Sequence, residues 1–297
     1  MTWLHLIAIG AAGIGSMKAA MEAGDLERAA HQGVLAGPLV VDQALTSADR
    51  ATRMAGIAAA PATDDRIELL EALAAAAAGP DRRTAIPAAH AGRAIAREIA
   101  RDVTATDLPD DVAPEDVLRW RDAWGDIARD RTRWIDVRVI ALDVAAALDA
   151  SAHASTAGST AAGSKTTTSG RLITGSIGID LEVALGDPDP AFRRAVVSLA
   201  PVPLPAALRA PLASTVVVDT DPLVALGAAQ ALCADLVVDA AKPILAALGQ
   251  PGLIRLRAII GTEGASRGVV RDAARCLAAD RDPASAAALR TIRTRLR

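Results

Sequence analysis

Apolar side chains recur at helical spacing along the second half of the chain. Three runs place them at positions i, i+4 and i+7, which lie on one face of a helix. The triplets are Phe192, Val196 and Leu199; Val224, Ala228 and Ala231; and Val269, Ala273 and Cys276. The first two triplets follow Asp-Pro pairs at 189–190 and 221–222, and Asp is a favoured N-cap residue. The recurrence predicts helical hairpins that stack and bury their apolar faces against one another.

The first half of the chain carries the same pattern in a less regular register. Its helix starts are mostly acidic, and its helix stops contain Gly or Pro, as capping preferences require. The first predicted helix covers about 17–30 and is broken at Gly33 and at Gly37-Pro38. The other predicted helices cover about 39–45, 47–57, 64–78, 81–99, 115 onward and 132–150. An acidic loop that contains Pro is expected at 107–114. On the last of these helices the predicted buried stripe is Ile135, Val139, Leu142 and Ala146.

The composition favours an all-α fold. Hydrophobic residues make up 52% of the 297 residues, but aromatic residues make up only 2%, with no Tyr and one Phe. Most of the apolar content is Ala, Val and Leu. Ala has the highest helix propensity, and small side chains let helices approach closely. We therefore expect a closely packed all-α protein.

A change of composition divides the chain into two parts. Residues 151–170 are rich in Ser, Thr, Gly and Ala and have no large apolar side chain. Such a segment cannot bury enough apolar surface to offset the entropy lost on ordering. We predict a flexible linker there, between an N-terminal helical region at 1–150 and C-terminal repeats at 171–297. Within 171–185, alternating apolar residues leave open a short strand pair or the start of a helix.

The paired Ala, Leu and Val helices resemble HEAT repeats of the bacterial type. The residues that carry the resemblance are Asp-Pro-Ala-Phe-Arg-Arg-Ala-Val-Val-Ser-Leu at 189–199. Pro190 and Pro222 lie 32 positions apart, somewhat less than the ~40 residues of a HEAT unit. The resemblance implies an α-solenoid of helical hairpins, and HEAT-like proteins generally act as scaffolds and binding surfaces.

Tryptophan is concentrated in one short region. Trp120 and Trp124 are i, i+4 neighbours on one predicted helix face, and Trp134 lies on the next predicted helix. The nearby arginines are Arg119, Arg121, Arg131 and Arg133. The tryptophans could fill a wider gap in a core packed by Ala. They could also form a partner-binding site, because Trp and Arg dominate the energetics of protein interfaces. The candidate partner-binding residues are Trp120, Trp124, Arg131, Arg133 and Trp134.

Two glycine-containing segments are candidate phosphate-binding sites of a nucleotide-dependent enzyme. Residues 6–15 can be interpreted as a strand and a Gly-rich turn into a helix, whose amides could bind phosphate. Their glycines, Gly10, Gly13 and Gly15, follow the order G-x-x-G-x-G and not G-x-G-x-x-G. Residues 158–166 approach a P-loop, but Ser164 separates Gly163 from Lys165, whereas a P-loop has Lys directly after Gly. Helix-forming or linker sequence is the preferred interpretation of both, and we expect no cofactor.

The charge and the cysteines of the chain limit which classes of partner and which kinds of site the sequence indicates. The formal net charge is −3 and both signs are interspersed, which argues against nucleic acid as the main partner. The two cysteines, Cys233 and Cys276, form no Cys-x-x-Cys or Cys/His cluster, so a zinc or redox motif is not indicated. Each could be a small buried apolar residue. In an oxidising compartment, a disulfide between neighbouring repeats is the alternative.

The N-terminal segment allows two interpretations. Residues 4–15 are apolar and without a full charge, long enough for the core of a signal peptide and too short to span a bilayer. No Lys or Arg precedes them and no convincing cleavage site follows, so a buried first helix is preferred. We expect a cytoplasmic protein in that case, and a periplasmic or secreted one if residues 1–20 act as a signal peptide.

The sequence thus predicts an all-α, HEAT-like solenoid of two helical arms that acts as a non-catalytic scaffold for a protein partner. No membrane span and no metal site are expected. The first alternative is a secreted or periplasmic structural protein with the same fold. The second is a nucleotide-dependent enzyme that uses the turn at 10–15 or Lys165.

Overall fold

The computed structural model describes residues 3–103, 113–159, 181–201, 204–234, 236 and 241–296. Within these ranges the chain is helical or connects helices, and no strand occurs. The predicted all-α fold is confirmed. Contacts divide the chain into two compact units, Met1–Ser164 and Lys165–Arg297.

The first unit is built from helical hairpins. Its helices are α1 Trp3–Glu22, α2 Leu26–Ala36, α3 Pro38–Leu45, α4 Arg50–Ala59, α5 Leu70–Ala77, α6 Arg82–Val103, α7 Pro114–Arg129 and α8 Ile135–Ser159. Short 3-10 turns at Ala60–Ala62 and Arg66–Leu69 lie between α4 and α5. The pairs α1/α2, α3/α4, α5/α6 and α7/α8 pack as hairpins. The helices α2, α4, α6 and α8 form one layer, and α1, α3, α5 and α7 form the other.

The second unit repeats this two-layer arrangement. Its helices are α9 Leu181–Leu185, α10 Pro190–Ser198, α11 Ala206–Val218, α12 Pro222–Cys233, α13 Ala241–Ile259, α14 Arg267–Ala279 and α15 Pro283–Leu296. The helices α9, α11, α13 and α15 pack successively in one layer, and α10, α12 and α14 pack in the other. Each unit is therefore a stack of helical hairpins.

Aspartate caps begin several of the helices that the sequence predicts. The Asp189 carboxylate accepts a hydrogen bond from the Ala191 amide at 2.8 Å, and Pro190 is the first helical residue. The Asp221 carboxylate accepts hydrogen bonds from the Leu223 and Val224 amides at 2.8 and 3.1 Å. These bonds satisfy amides that have no partner within the helix, and Pro fits the first turn because it lacks an amide hydrogen.

Arginine–aspartate pairs connect successive helices of one layer. In the second unit, buried Arg193 of α10 binds both carboxylate oxygens of Asp219, which caps the end of α11 in the turn that leads to α12, at 2.8 and 2.9 Å. In the first unit, Arg82, the first residue of α6, binds Asp136 at the start of α8 at 2.6 Å. These ion pairs fix the spacing between the starts of neighbouring helices.

The boundary between α1 and α2 differs from the predicted one. The sequence predicted a helix over 17–30 with a break at Gly33, but α1 ends at Glu22 and Gly33 lies inside α2. Gly24, with φ 76°, makes the actual break. A Cβ at Gly33 would lie 2.2 Å from the Ala59 Cβ, so Gly33 serves the close approach of α2 and α4 and not a turn.

Helix α8 also departs from its prediction, because it continues to Ser159 and so enters the segment predicted as a linker. Ser151 is buried, and its hydroxyl donates a hydrogen bond to the Ala147 carbonyl at 3.0 Å. This bond satisfies the buried hydroxyl, so the serine is compatible with the helix. Residues 160–170, including Lys165, lie outside the described residues. Of the predicted buried stripe only Leu142 is fully buried. The reason is that α8 packs against both α6 and α7, which shifts its buried face.

The strand alternative for 171–185 is tested only at its end. Residues 181–185 form α9, while 171–180 lie outside the described residues, as does most of the acidic loop predicted at 107–114. Among the helices described, none is long and apolar enough to cross a membrane.

Candidate partner-binding surface

Two of the three clustered tryptophans lie in the core of the first unit. Trp120 is 5% exposed and Trp124 is fully buried. The six-membered ring of Trp124 lies against Gly92 of α6, where a Cβ would come 2.4 Å from the ring atom Cζ2. Both indoles are therefore part of the hydrophobic packing and cannot contact a partner in this structure. Their burial corresponds to the core interpretation of the cluster.

Trp134 differs from them because its side chain is 46% exposed. It directly precedes α8, and the guanidinium carbon of Arg82 lies 5.5 Å from its ring centroid. Arg82 is itself held by Asp136 at 2.6 Å. This arrangement is a cation–π interaction that stabilises the orientation of the indole while leaving part of it accessible to solvent.

The turn that carries Trp134 is held on both sides by hydrogen bonds. Arg133 Nε donates to Asp130 at 2.8 Å, and Arg133 Nη1 donates to the carbonyl of Ala78 at the end of α5. The hydroxyl and amide of Thr132 also donate to Asp130 and hold the pKa of its carboxyl below its usual value. Arg131 is exposed at the tip of this turn. The position of Trp134 is therefore set before any partner binds.

A shallow groove of about 380 Å³ lies between α5 and α7. Its lining is Glu71, Ala74, Ala75, Ala78, Ala123, Asp126, Ile127, Asp130 and Arg133. The floor is apolar because small residues of both helices face it. Arg133, the neighbour of Trp134 in sequence, lies at the edge of this groove, whereas the half-exposed indole itself does not line it and contacts Arg82 of α6. We call the groove together with Trp134, Arg133 and Arg131 the Trp134 surface.

The acidic groups that line this groove are paired with arginines. Asp126 is bound by Arg129, and Asp130 is bound by Arg133. Glu71 lies 3.7 Å from Arg119. The groove therefore has no strong net charge of its own, and recognition there depends mainly on apolar contact and on the indole.

The sequence could not indicate that Arg82 contacts Trp134 or that the α5 alanines line the groove. Arg82 and these alanines lie on helices that are distant in sequence from Trp134, and no local sequence motif marks them. The only sequence signal was the density of Trp and Arg, which identified the region without separating the buried indoles from the exposed one.

The two cysteines meet in the second unit. Cys233 at the end of α12 and Cys276 of α14 are joined by a disulfide, with their Cα atoms 5.6 Å apart. Both side chains are fully buried. The bond links neighbouring helices of one layer, which is a structural position and not one in which an exposed thiol could react.

The proposed Gly-rich turn is absent from the described backbone. Gly10, Gly13 and Gly15 lie within α1, which is helical from Trp3 to Glu22, so the strand and turn of the nucleotide interpretation are wrong. The amides of a helix interior are hydrogen-bonded within the helix and cannot bind phosphate. Within the described residues, no group of His, Cys, Asp or Glu is arranged to hold a metal ion.

The fold defines this protein as an all-α chain of stacked helical hairpins. No family model and no curated protein matches the chain. Among solved structures it is similar to two engineered proteins from the Northeast Structural Genomics Consortium. One is 16% identical with a TM-score of 0.45, over 93% of this chain and 71% of that one. The other is 19% identical with a TM-score of 0.33, over 93% of this chain and 87% of that one. Neither similarity assigns a function.

Proposed function

We propose that the protein is a non-catalytic, HEAT-like scaffold that binds a protein partner at the Trp134 surface. The observation that carries the proposal is the half-exposed indole of Trp134, held in place by Arg82 at 5.5 Å and directly following Arg133, which lines the edge of an apolar groove. Large aromatic residues next to arginines are characteristic of the residues that dominate binding energy at interfaces.

The rigidity of the turn supports this function. An indole that is already fixed loses little conformational freedom on binding, so more of its interaction energy contributes to affinity. The hydrogen bonds from Arg133 to Asp130 and to the Ala78 carbonyl restrict the turn in the free protein.

The HEAT-like character of the proposal is supported by the two-layer stacking of hairpins in each unit. Repeats of this kind contact mainly their neighbours and present extended surfaces to partners. The Asp-Pro helix starts that suggested the resemblance cap their helices as such starts should.

A second candidate is favoured by the disulfide. A structural helical-repeat protein of a periplasmic or secreted compartment would have the same fold, and Cys233–Cys276 would persist there because the surroundings are oxidising. Mass spectrometry of alkylated protein from the native source tests this candidate. A bridged pair would support it, and free thiols would contradict it.

The Trp134 surface is tested by placing a photo-crosslinking amino acid at Ala75, which is exposed and lines the groove, and identifying the crosslinked peptides. Wild-type protein, Trp134→Ala and Leu35→Ala are then compared in binding to the partner found. Leu35 of α2 is more exposed than Trp134 and lies away from the groove. We expect Trp134→Ala to weaken binding by at least about 2 kcal/mol and Leu35→Ala to leave it unchanged. Equal binding by all three proteins would refute the proposed surface.

A further inference from the structure

A second groove lies at a kink in α13 of the second unit. Gly249 has φ 57° and ψ −177°, which is not helical, and Pro251 follows it closely, so α13 consists of two helical segments. Glycine is suited to this position because its φ lies in the left-handed region. A groove of about 670 Å³ opens beside the kink. Its lining is Ala241, Lys242, Leu245, Ala246, Gly249, Gln250, Leu253, Ala279, Asp280 and Arg281.

The floor of this kink groove is apolar. Leu253 is 4% exposed and Leu245 is half-buried, with Ala246 and Ala279 beside them. These side chains offer shallow contact to another apolar residue. The groove is open to solvent along its length, so it fits an extended or helical segment better than an enclosed small molecule.

The rim of the kink groove is positively charged. Lys242 and Arg281 are both exposed, and within the described part of the chain neither forms an ion pair. The acidic residue of the lining, Asp280, is bound by Arg257 at 2.8 Å and accepts a hydrogen bond from the Ser285 hydroxyl at 2.6 Å. Arg257 also binds Asp282 at 2.8 Å, so it balances part of the Asp280 charge, and among the described residues Lys242 and Arg281 leave this rim with a net positive charge.

The backbone at the kink contributes no net potential. The first segment of α13 ends before Gly249 and the second begins after it. A helix carries a partial negative charge at its C-terminal end and a partial positive charge at its N-terminal end, and here the two ends adjoin. The positive potential of the rim therefore comes from the side chains of Lys242 and Arg281.

We propose that the kink groove binds a short acidic, leucine-containing segment of a partner protein. Leucine side chains contact Leu245, Ala246 and Ala279, and flanking Glu or Asp side chains pair with Lys242 and Arg281. The proposal rests on the scaffold function and names the chemistry of one partner segment. It concerns a surface of the second unit, and the Trp134 surface belongs to the first.

The test uses two fluorescein-labelled peptides of about 14 residues that share the same Leu and Ala positions. Their charged positions are all Glu in one peptide and all Lys in the other. Fluorescence anisotropy with the full chain measures binding. We expect the Glu peptide to bind at least about tenfold more tightly than the Lys peptide, and added salt to reduce the difference.

Charge-reversal variants locate the binding. We expect Lys242→Glu together with Arg281→Glu to weaken binding of the Glu peptide at least about tenfold. The matched control carries Arg267→Glu and Arg290→Glu, which make the same change in net charge at exposed positions outside the groove. It should bind as the wild type does. The neutral double variant Lys242→Gln, Arg281→Gln provides the same test should the reversal disturb folding, which circular dichroism will report.

Equal binding of the two peptides, no binding of the Glu peptide, or equal loss in the control would each overturn the inference. These outcomes are separable from failure of the scaffold proposal. If Trp134→Ala abolishes partner binding while the Glu peptide does not bind, only the kink groove is refuted. If the Glu peptide binds at the groove while Trp134→Ala has no effect on the partner, only the Trp134 surface is refuted.

Discussion

The indole of Trp124 lies so close to Gly92 that no side chain fits at position 92. A Cβ built there would be 2.4 Å from Cζ2 and 2.6 Å from Cη2 of the ring. Because an aromatic ring cannot be displaced as easily as the end of a flexible side chain, this contact holds the Trp124 ring of α7 against the backbone of α6. The same contact explains why Trp124 is core and not binding surface.

We expect Gly92→Ala to destabilise the first unit by about 1–3 kcal/mol, because an added methyl group overpacks a filled core. The control is Gly15→Ala in α1, where nothing lies within 4 Å of the added Cβ. That change should be neutral or stabilise by up to ~1 kcal/mol through helix propensity. Urea denaturation of both variants measures the difference. Equal stability of the two would contradict the packing described.

The buried pair of Arg193 and Asp219 gives a second prediction. We expect Arg193→Met to destabilise the second unit by about 3–5 kcal/mol, because it leaves the Asp219 carboxylate buried without its cation. The double variant Arg193→Met, Asp219→Leu should recover part of this loss. The control Arg271→Ala removes an exposed arginine paired with Asp272 at 3.3 Å and should cost at most about 1 kcal/mol. Thermal denaturation distinguishes these outcomes, and equal losses in all variants would count against the buried pair.

The Asp81 carboxyl should contribute to the dependence of stability on pH. The Thr84 hydroxyl donates to it at 2.8 Å, and this hydrogen bond holds the pKa of Asp81 below its ordinary value. A carboxyl whose pKa is lowered by folding stabilises the native state above its unfolded pKa of ~3.9. That contribution is lost as the pH falls through the lower, folded pKa.

We therefore expect Thr84→Val to raise the pKa of Asp81 towards its ordinary value, while Thr84→Ser, which keeps the hydroxyl, leaves it low. Carboxyl chemical shifts followed by NMR between about pH 2 and pH 6 give the values directly. In Thr84→Val the stabilisation that Asp81 contributes above its unfolded pKa should be smaller. A Val variant that titrates like the wild type would show that Thr84 does not set the pKa.

The disulfide provides the last prediction. Cys233 and Cys276 are separated by 43 positions. In the chain-entropy model, closing a loop of that length raises the free energy of the unfolded state by about 4 kcal/mol. We expect Cys233→Ser with Cys276→Ser to lower the melting temperature of the second unit. In the wild type, the buried sulfurs should resist mild reductant until the protein unfolds. Rapid reduction of the folded protein would contradict the burial of this bond.

The elements of the fold were largely predictable from local sequence. The helix caps at Asp189 and Asp221 depend on residues within a few positions of one another. The same holds for the i, i+4, i+7 spacing that begins at Val224. Such local features can be predicted from the sequence alone. The predicted helix break at Gly33 was wrong because glycine can have two roles in a helical protein. It can break a helix or admit a neighbouring one, and only the presence of Ala59 opposite it decides between them.

The sequence by itself determined that the chain is helical, where most helices begin, and that Trp and Arg cluster between α7 and α8. Only the tertiary structure decided that Trp124 is buried against Gly92 while Trp134 is exposed beside Arg82. It likewise decided that Cys233 meets Cys276, and that Lys242 and Arg281 border one groove. The physical reason is that capping and periodicity act within a turn or two of helix, whereas burial and charge pairing depend on residues brought together from distant parts of the chain.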